Sequence, residues 1–257
     1  MISRGLVWDI ETSPILGYTW GIWEQNVIEV VEDYKVLSVA WQWVGEKKVH
    51  CLGQDDMPGF IPGVNDDKEL MERIWVLLDE ADYAVAHNGD QFDVKKVNAR
   101  FLVHGMMPPS PYKQIDTKKI AKRVAGFTSN RLKDLARDLN VNQKGDPGGF
   151  ATWKGCMAGE PQAWKRMKKY NRQDIPPLMD LYLQFRAWDK QGIAMNTIEG
   201  KPDKCPKCGV GVMWPKMKYR ATNSNLYQYY RCADCGGTAK SRVAEPKPKN
   251  ERNMYVS

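Results

Sequence analysis

Val7-Trp8-Asp9-Ile10-Glu11-Thr12 ends a short apolar run, Gly5 to Trp8, with two carboxylates one residue apart. The run reads as a buried strand. Side chains on a strand repeat with period two, so Asp9 and Glu11 leave the same face. Two anions side by side at the end of a buried strand repel each other, and a divalent cation is a fitting counter-charge. A strand that simply ends in two solvated acids has the same pattern. The other acids along the chain decide between the two.

The 257 residues are 42% hydrophobic and 27% charged, which suits one sizeable core with a small module beside it. No apolar run approaches the roughly 18 residues needed to span a bilayer. The N-terminus lacks the basic-then-apolar order of a secretory leader, because an acid arrives at Asp9. These features predict an intracellular, cytoplasmic protein with no membrane partner. The formal charge of +7 is unevenly spread. Residues 200–257 hold twelve Lys or Arg against four Asp or Glu, a local +8, which leaves −1 for the first 199. A basic tail on a near-neutral body fits a polyanionic partner, since phosphate contacts are largely charge neutralisation. A solubilising tail would carry the same charge.

Gly17–Trp23 and Val36–Val44 are rich in Trp, Val and Tyr and read as strands, with Lys47–Leu52 as a third. With the opening strand they predict an antiparallel block of about three strands. Pro58, Gly59, Pro62 and Gly63 make Asp55–Asn65 a loop. Leu70, Ile74, Leu77 and Leu78 have helical spacing within Asp66–Asp79. Tyr83–Ala86 is a short buried strand that ends in the turn His87-Asn88-Gly89. A helix over Gln91–His104 should bury Phe92, Val97, Phe101 and Leu102, with Asp90 as its cap. Tyr112–Ile115 reads as a strand, Thr117–Val124 and Leu132–Leu139 as helices, and the Gly-rich Asn142–Gly155 as a mobile loop. Pro161 suits the first turn of a helix. Pro176 and Pro177 cannot donate to the carbonyls of Arg172 and Gln173, so that helix should end or kink near Asp174. Leu178–Trp188 is then a further helix. A strand block followed by alternating strands and helices predicts an α/β domain with a mixed sheet.

Two further acids stand in telling places. Asp93 opens a helix just after the turn at His87-Asn88-Gly89, and Asp174 follows Tyr170 by four residues, which puts phenol and carboxylate on one helix face. Singly, each has an ordinary explanation, dipole compensation for Asp93 and a surface pair for Tyr170 and Asp174. As an ordered set they resemble the DEDD superfamily of 3′-to-5′ exonucleases, in its Tyr-containing subgroup. Asp9-Ile10-Glu11-Thr12 matches the first family motif, Asn88 through Phe92-Asp93 the second, and Tyr170-x-x-x-Asp174 the third. Asp116-Thr117 and Arg131-Leu132-Lys133-Asp134-Leu135 also look like the family, and the resemblance covers roughly residues 5 to 190. The long Trp-rich N-terminal segment looks most like virus-encoded or prokaryotic members, and a virus-encoded chain would work in the host cytoplasm. Pro176-Pro177 directly after Asp174 departs from the family pattern.

The resemblance implies a ribonuclease-H-like α/β fold, a mixed sheet flanked by helices. It implies that Asp9, Glu11, Asp93 and Asp174 bind two Mg²⁺ or Mn²⁺, with Asp9 bridging them, and that Tyr170 orients the attacking water. Thr12, Asn88 and Phe92 match positions that bind the terminal nucleotide in relatives; Phe92 reads equally as a core residue. The implied activity is release of nucleoside 5′-monophosphates from a free 3′ end, with single-stranded DNA the favoured substrate and a replication or repair protein as a further partner. The chemistry is coherent without the family. Two divalent ions about 4 Å apart activate a water and stabilise a leaving oxygen, and such ions prefer carboxylate ligands. A phenol of pKa near ~10 is a poor base at neutral pH, so orientation is the safer role for Tyr170. A structure-selective endonuclease on the same fold, and a non-catalytic nucleic-acid-binding or partner-docking protein, are the alternatives. His87 and Asp116 read as structural, and Cys51 and Cys156 as unpaired thiols.

Cys205-Pro206-Lys207-Cys208-Gly209 and Cys232-Ala233-Asp234-Cys235-Gly236 are two knuckles, each able to supply half a tetrahedral Zn²⁺ site. Strand-like runs Val210–Arg220 and Leu226–Arg231, joined by a turn at Ala221–Asn225, lie between them. This is the layout of a zinc ribbon, a small β-hairpin module held by one structural Zn²⁺. Trp214, Tyr219, Tyr227, Tyr229 and Tyr230 are interleaved with Lys216, Lys218, Arg220 and Arg231, a composition suited to stacking single-stranded bases. Some of these rings could instead fill the ribbon's core. The expected organisation is an exonuclease domain over 1–190, a linker over 191–204, the zinc ribbon over 205–240 and a basic, disordered tail over 241–257.

Overall fold

The computed structural model describes residues 3–23, 26–141, 149–222 and 225–245. Most of the expected basic tail, 246–257, and the first part of the Gly-rich loop, 142–148, lie outside the described residues. The chain divides into two compact units, residues 4–182 and residues 183–257 with the first three.

The first unit begins with β1 (Gly5–Thr12), a hairpin of β2 (Leu16–Tyr18) and β3 (Glu29–Glu32), then β4 (Val36–Trp43) and β5 (His50–Gly53). It continues through α1 (Lys68–Asp79), β6 (Tyr83–Ala86), α2 (Asp93–Val103), β7 (Lys113–Asp116), α3 (Thr117–Val124), α4 (Leu132–Asp138), α5 (Ala151–Met157) and α6 (Pro161–Phe185). Five strands form one sheet in the order β5-β4-β1-β6-β7. β4 pairs antiparallel with β1 and β5, whereas β6 pairs parallel with β1 and β7. The sheet is therefore mixed, flanked by helices and ribonuclease-H-like, with β1 at its centre.

The period of two along β1 divides its side chains between two environments. Leu6, Trp8 and Ile10 enter the main core with Leu70, Met71, Ile74 and Leu78 of α1 and Val97 and Phe101 of α2. Full burial of each such side chain contributes roughly 1.5–3 kcal/mol. Asp9 and Glu11 face the other way, toward α6, whose Asn171 reaches Asp9. On that side Leu37 packs with Trp164 and Met167 of α6. The β1–β4 register shifts at Glu11/Thr12, where Glu11 pairs Ser38 and Thr12 pairs Val36. Leu37 is thus the extra residue of a bulge beside the two carboxylates.

Several expectations need correction. Only Leu16–Tyr18 of the stretch 17–23 and its neighbour is strand, and it pairs with β3 outside the main sheet. Trp20, Ile22 and Trp23 are largely exposed, so their hydrophobicity does not mark a core strand. In α2, Val97 and Phe101 are buried, but Phe92 and Leu102 are 38% and 78% exposed. The cap position falls on Phe92, and Asp90 instead pairs with Lys119. Residues 151–157 form α5 rather than loop, because Trp153 packs edge-on against Tyr170 with ring centroids 6.2 Å apart. α6 runs unbroken through Pro176 and Pro177. Ile175, Leu178 and Leu181 are fully buried around the prolines, and that packing outweighs two missing backbone donors.

The second unit holds α7 (Met195–Ile198) and a sheet of β8 (Met213–Ala221), β9 (Leu226–Cys232) and β10 (Thr238–Lys240), in the order β10-β9-β8. β8 and β9 form the expected hairpin, the middle of its expected turn (223–224) lies outside the described residues, and β10 is an added third strand. The interior is small: Cys205, Cys208 and Cys232 with Met213 and Cys235 packed against them. No described helix is long and apolar enough to cross a membrane.

Candidate active site

β6 pairs with β1 only over Gly5–Val7, so β1 runs on past its neighbour. The N–H of Ile10 donates to Asp93 Oδ1 at 3.2 Å. Asp93 sits in the first turn of α2, directly after the turn that follows β6. That turn needs special backbone. Asn88 has φ +68°, a left-handed conformation that Asn tolerates better than most residues. A Cβ on Gly89 would lie 2.5 Å from the Cβ of Ala86, so glycine is required there. The turn is tied from β7: Asp116 Oδ1 accepts from the backbone N–H of Asn88 at 3.0 Å and from Lys118 and Lys119 as the cap of α3. His87 Nδ1 lies 2.9 Å from Thr117 Oγ1, and its Nε2 donates to Asn130 O at 3.0 Å. Both His87 and Asp116 are structural in this geometry.

α6 delivers the remaining groups. Asp9, Glu11 and Asp174 each offer one carboxylate oxygen, and these oxygens lie within 4.8 Å of one another. Asp174 is 1% exposed and Tyr170, one turn earlier, is 8% exposed. Asp93 stands beside this group, hydrogen-bonded to the residue between Asp9 and Glu11. Its burial pushes the carboxyl up to about 7, only partly offset by the Ile10 N–H and with Asp116 adding to the rise. Three convergent carboxylates with a fourth alongside are hard oxygen donors of the kind that Mg²⁺ or Mn²⁺ prefers.

Two residues of the site were not foreseen. Asn171 Nδ2 donates to Asp9 Oδ2 at 2.8 Å, and its Oδ1 accepts from Ser38 Oγ at 2.9 Å. Both Asn171 and Ser38 are fully buried. The available signal was a polar residue in an apolar helical stripe, Met167-Asn171-Asp174-Leu178, and another within Val36-Leu37-Ser38-Val39. Around the turn, lysines form a rim. Lys118 Nζ donates to Asn88 Oδ1 at 3.2 Å, and Lys96 Nζ lies 3.4 Å from the ring centroid of Tyr34 and 6.0 Å from that of Phe92. Thr12 is half-buried at the end of β1. Cys51 and Cys156 are both free thiols whose burial pushes them up to about 12, so they remain protonated and inert near neutral pH.

The profile of the RNase_H superfamily matches residues 46–185. The chain belongs to the RNase_H superfamily. The match includes Asp93, Tyr170 and Asp174 and begins after β1. RNase_H membership supports a nuclease-type function on nucleic acid. Among solved structures, the chain is similar to the family B DNA polymerase of the hyperthermophilic archaeon Pyrobaculum calidifontis. The two are 14% identical, with a TM-score of 0.51 over 72% of this chain and 25% of the polymerase chain. At that identity the likeness concerns the fold alone, and this chain spans about a quarter of the polymerase's length. No curated protein matched the sequence.

In the second unit, four thiols form a group that could hold a metal. Cys205 Sγ lies 3.8 Å from Cys235 Sγ, and Cys208 Sγ lies 3.7 Å from Cys232 Sγ. Disulfide bonds need about 2.05 Å. A tetrahedron with metal–sulfur bonds of ~2.3 Å has edges near ~3.8 Å, so the spacing fits a tetrahedral ion. Backbone N–H groups of Lys207, Gly211, Cys235 and Gly237 donate to these sulfurs at 3.3–3.5 Å, which stabilises thiolates. A Cβ on Gly211 would lie 2.2 Å from Cys232 Sγ, so only glycine leaves room for the cluster.

Proposed function

We propose that this chain is a metal-dependent 3′-to-5′ exonuclease that removes nucleoside 5′-monophosphates from a free 3′ end, single-stranded DNA being the favoured substrate. The observation that carries the reading is the convergence of Asp9, Glu11 and Asp174 within 4.8 Å, with Asp93 alongside and Tyr170 one helical turn from Asp174. Superfamily membership supports the broader nuclease function. The Tyr-x-x-x-Asp spacing supports the exonuclease assignment.

Asp9, Glu11, Asp93 and Asp174 are the proposed ligands of two Mg²⁺ or Mn²⁺. When bound, such a pair supplies charge neutralisation and Lewis acidity at the scissile phosphate. The protein's own groups have separate tasks. Asn171 holds Asp9 in one orientation. Tyr170 directs a water at phosphorus in line with the terminal ester. The new P–O bond forms as the bond to the 3′ oxygen of the penultimate nucleotide breaks; that oxygen takes a proton and leaves as a new 3′ hydroxyl. Asn88, Phe92 and Thr12 flank the terminal nucleotide. Phe92 offers a 38% exposed ring, and the lysine rim favours a phosphate backbone. The four thiols are assigned to one structural Zn²⁺, and a replication or repair protein is a proposed partner.

The test uses end-labelled single- and double-stranded DNA and RNA with Mg²⁺ or Mn²⁺. Wild type should remove nucleotides stepwise from the 3′ end, and Asp9→Ala or chelation should abolish the reaction. Internal cuts in place of a ladder would reassign the chain as an endonuclease. No metal-dependent cleavage of any substrate would overturn the enzymatic reading.

A further inference from the structure

The second unit has a groove of about 710 Å³ along the β8–β9 hairpin. Four cations line it, Lys216, Lys218, Arg220 and Arg231, together with the rings of Tyr219, Tyr229 and Tyr230, and no carboxylate does. In a regular strand Lys218 and Arg220 would share a face and Tyr219 would take the other. The β8–β9 register breaks this rule: Lys216 pairs Tyr229, and the next pair is Tyr219 with Gln228. Residues 217 and 218 are therefore extra, and Gln228 Nε2 donates to the carbonyl of Lys216 at the break. A bulge increases local twist and re-aims side chains. Here the sequential Lys218, Tyr219 and Arg220 all line one concavity.

Ring burial does not account for these tyrosines. The apolar cluster around the cysteines holds Met213 and none of these tyrosines. Tyr219 is 51% exposed, and Tyr229 and Tyr230 are half-buried. Cations without acids select a polyanion, while flat exposed rings among them select an anion that also carries flat bases.

We propose that this groove binds a short segment of single-stranded nucleic acid, phosphates on Lys216, Lys218, Arg220 and Arg231 and bases on the tyrosines. The proposal deepens the exonuclease reading, on which its biological use rests, but binding is measurable without cleavage. The bulge is the specific device that brings Tyr219 to the side of Lys218 and Arg220, adding to the Lys216–Tyr229 pair that already faces across the hairpin.

The experiment uses the full-length, zinc-loaded chain carrying Asp9→Asn, titrated into 5′-fluorescein oligothymidylate and oligouridylate across a salt series and followed by anisotropy. Adding K216Q with R231Q should weaken binding at least about tenfold and reduce the log–log salt slope by about 0.7 per lost contact. Y219A should weaken binding by about tenfold while leaving the salt slope unchanged. Zinc content must match the parent in every variant. Parent-like oligonucleotide affinity in the ribbon variants overturns the proposal, as does a parent that binds an acidic peptide but neither oligonucleotide. If the wild type cleaves nothing yet the ribbon variants lose binding, the exonuclease reading fails and the groove assignment stands.

Discussion

The amide of Asn171 holds the carboxylate of Asp9, with Nδ2 donating to Oδ2 at 2.8 Å. The other end of the amide is fixed by Ser38 Oγ, which donates to Oδ1 at 2.9 Å. A buried relay therefore runs from β4 through α6 to β1 and removes the rotational freedom of one proposed ligand. Loss of such an outer partner typically costs about 10–100-fold in metal affinity. Asn171→Ala should weaken Mn²⁺ binding by that order in an electron paramagnetic resonance titration. Ser38→Ala should have a smaller effect, since it acts through Asn171. Unchanged Mn²⁺ affinity in a natively folded Asn171→Ala would rule out the positioning role.

Tyr170→Phe removes one hydroxyl and keeps the ring that packs against Trp153. If the hydroxyl orients water, turnover should fall by up to about 100-fold, the cost of losing reactive alignment. Mn²⁺ affinity and thermal stability should stay close to wild type. Full turnover in this variant would remove Tyr170 from the reaction.

Asp67 and Arg100 form a buried pair beneath α1 and α2, at 2.8 Å, with side-chain exposures of 0% and 5%. Burial alone would raise the Asp67 carboxyl, but hydrogen bonds from Arg100, the Val36 N–H and His104 together hold it below the usual range. A depressed folded pKa means stability that is present above the unfolded value near ~3.9 and is lost as pH falls through the folded pKa. Acid unfolding of the wild type should therefore steepen below about pH 4, and Asp67→Asn should flatten that limb. At neutral pH the variant leaves Arg100 buried without its charge partner, a loss of about 3–5 kcal/mol by denaturant titration. An acid limb identical to wild type would show that Asp67 does not set it.

The four thiols should carry one Zn²⁺ per chain, measured by elemental analysis, and Cys232→Ser should lower that to near zero. Because so small a unit has little interior besides its cysteines, metal removal should unfold it. Amide exchange over residues 205–240 would report the unfolding. Stable protection of β8 and β9 after complete zinc removal would contradict this.

Much of this was legible because its causes are local. Alternation in Gly5–Thr12, helical spacing in Lys68–Asp79 and the CxxC pairs each state their structure within a few residues. The errors fall where distant packing decided. Phe92 and Leu102 fit a helix's apolar positions, but the sheet covers only the side bearing Val97 and Phe101. Pro176 and Pro177 read as a break, yet they lie among fully buried neighbours, and α6 continues past them. The Trp-rich stretch after Thr12 has strand composition, but only Leu16–Tyr18 pairs, with β3 and outside the main sheet, and Trp20, Ile22 and Trp23 stay exposed.

The sequence by itself determined the chemistry on offer: four acids and a tyrosine in order along the chain, two cysteine knuckles, and a basic C-terminal region. Only the tertiary structure decided which groups meet. Residues 9, 93 and 174 are far apart in the chain, and the sheet and α6 bring them to one end of β1. The same packing put Ser38 and Asn171 behind Asp9, and in the second unit a bulge in β8 set Tyr219 beside Lys218 and Arg220 in one groove. Patterns of period two or 3.6 tell which way a side chain points from its own element. They say nothing of which other element stands opposite, because that is set by the long-range burial of apolar surface.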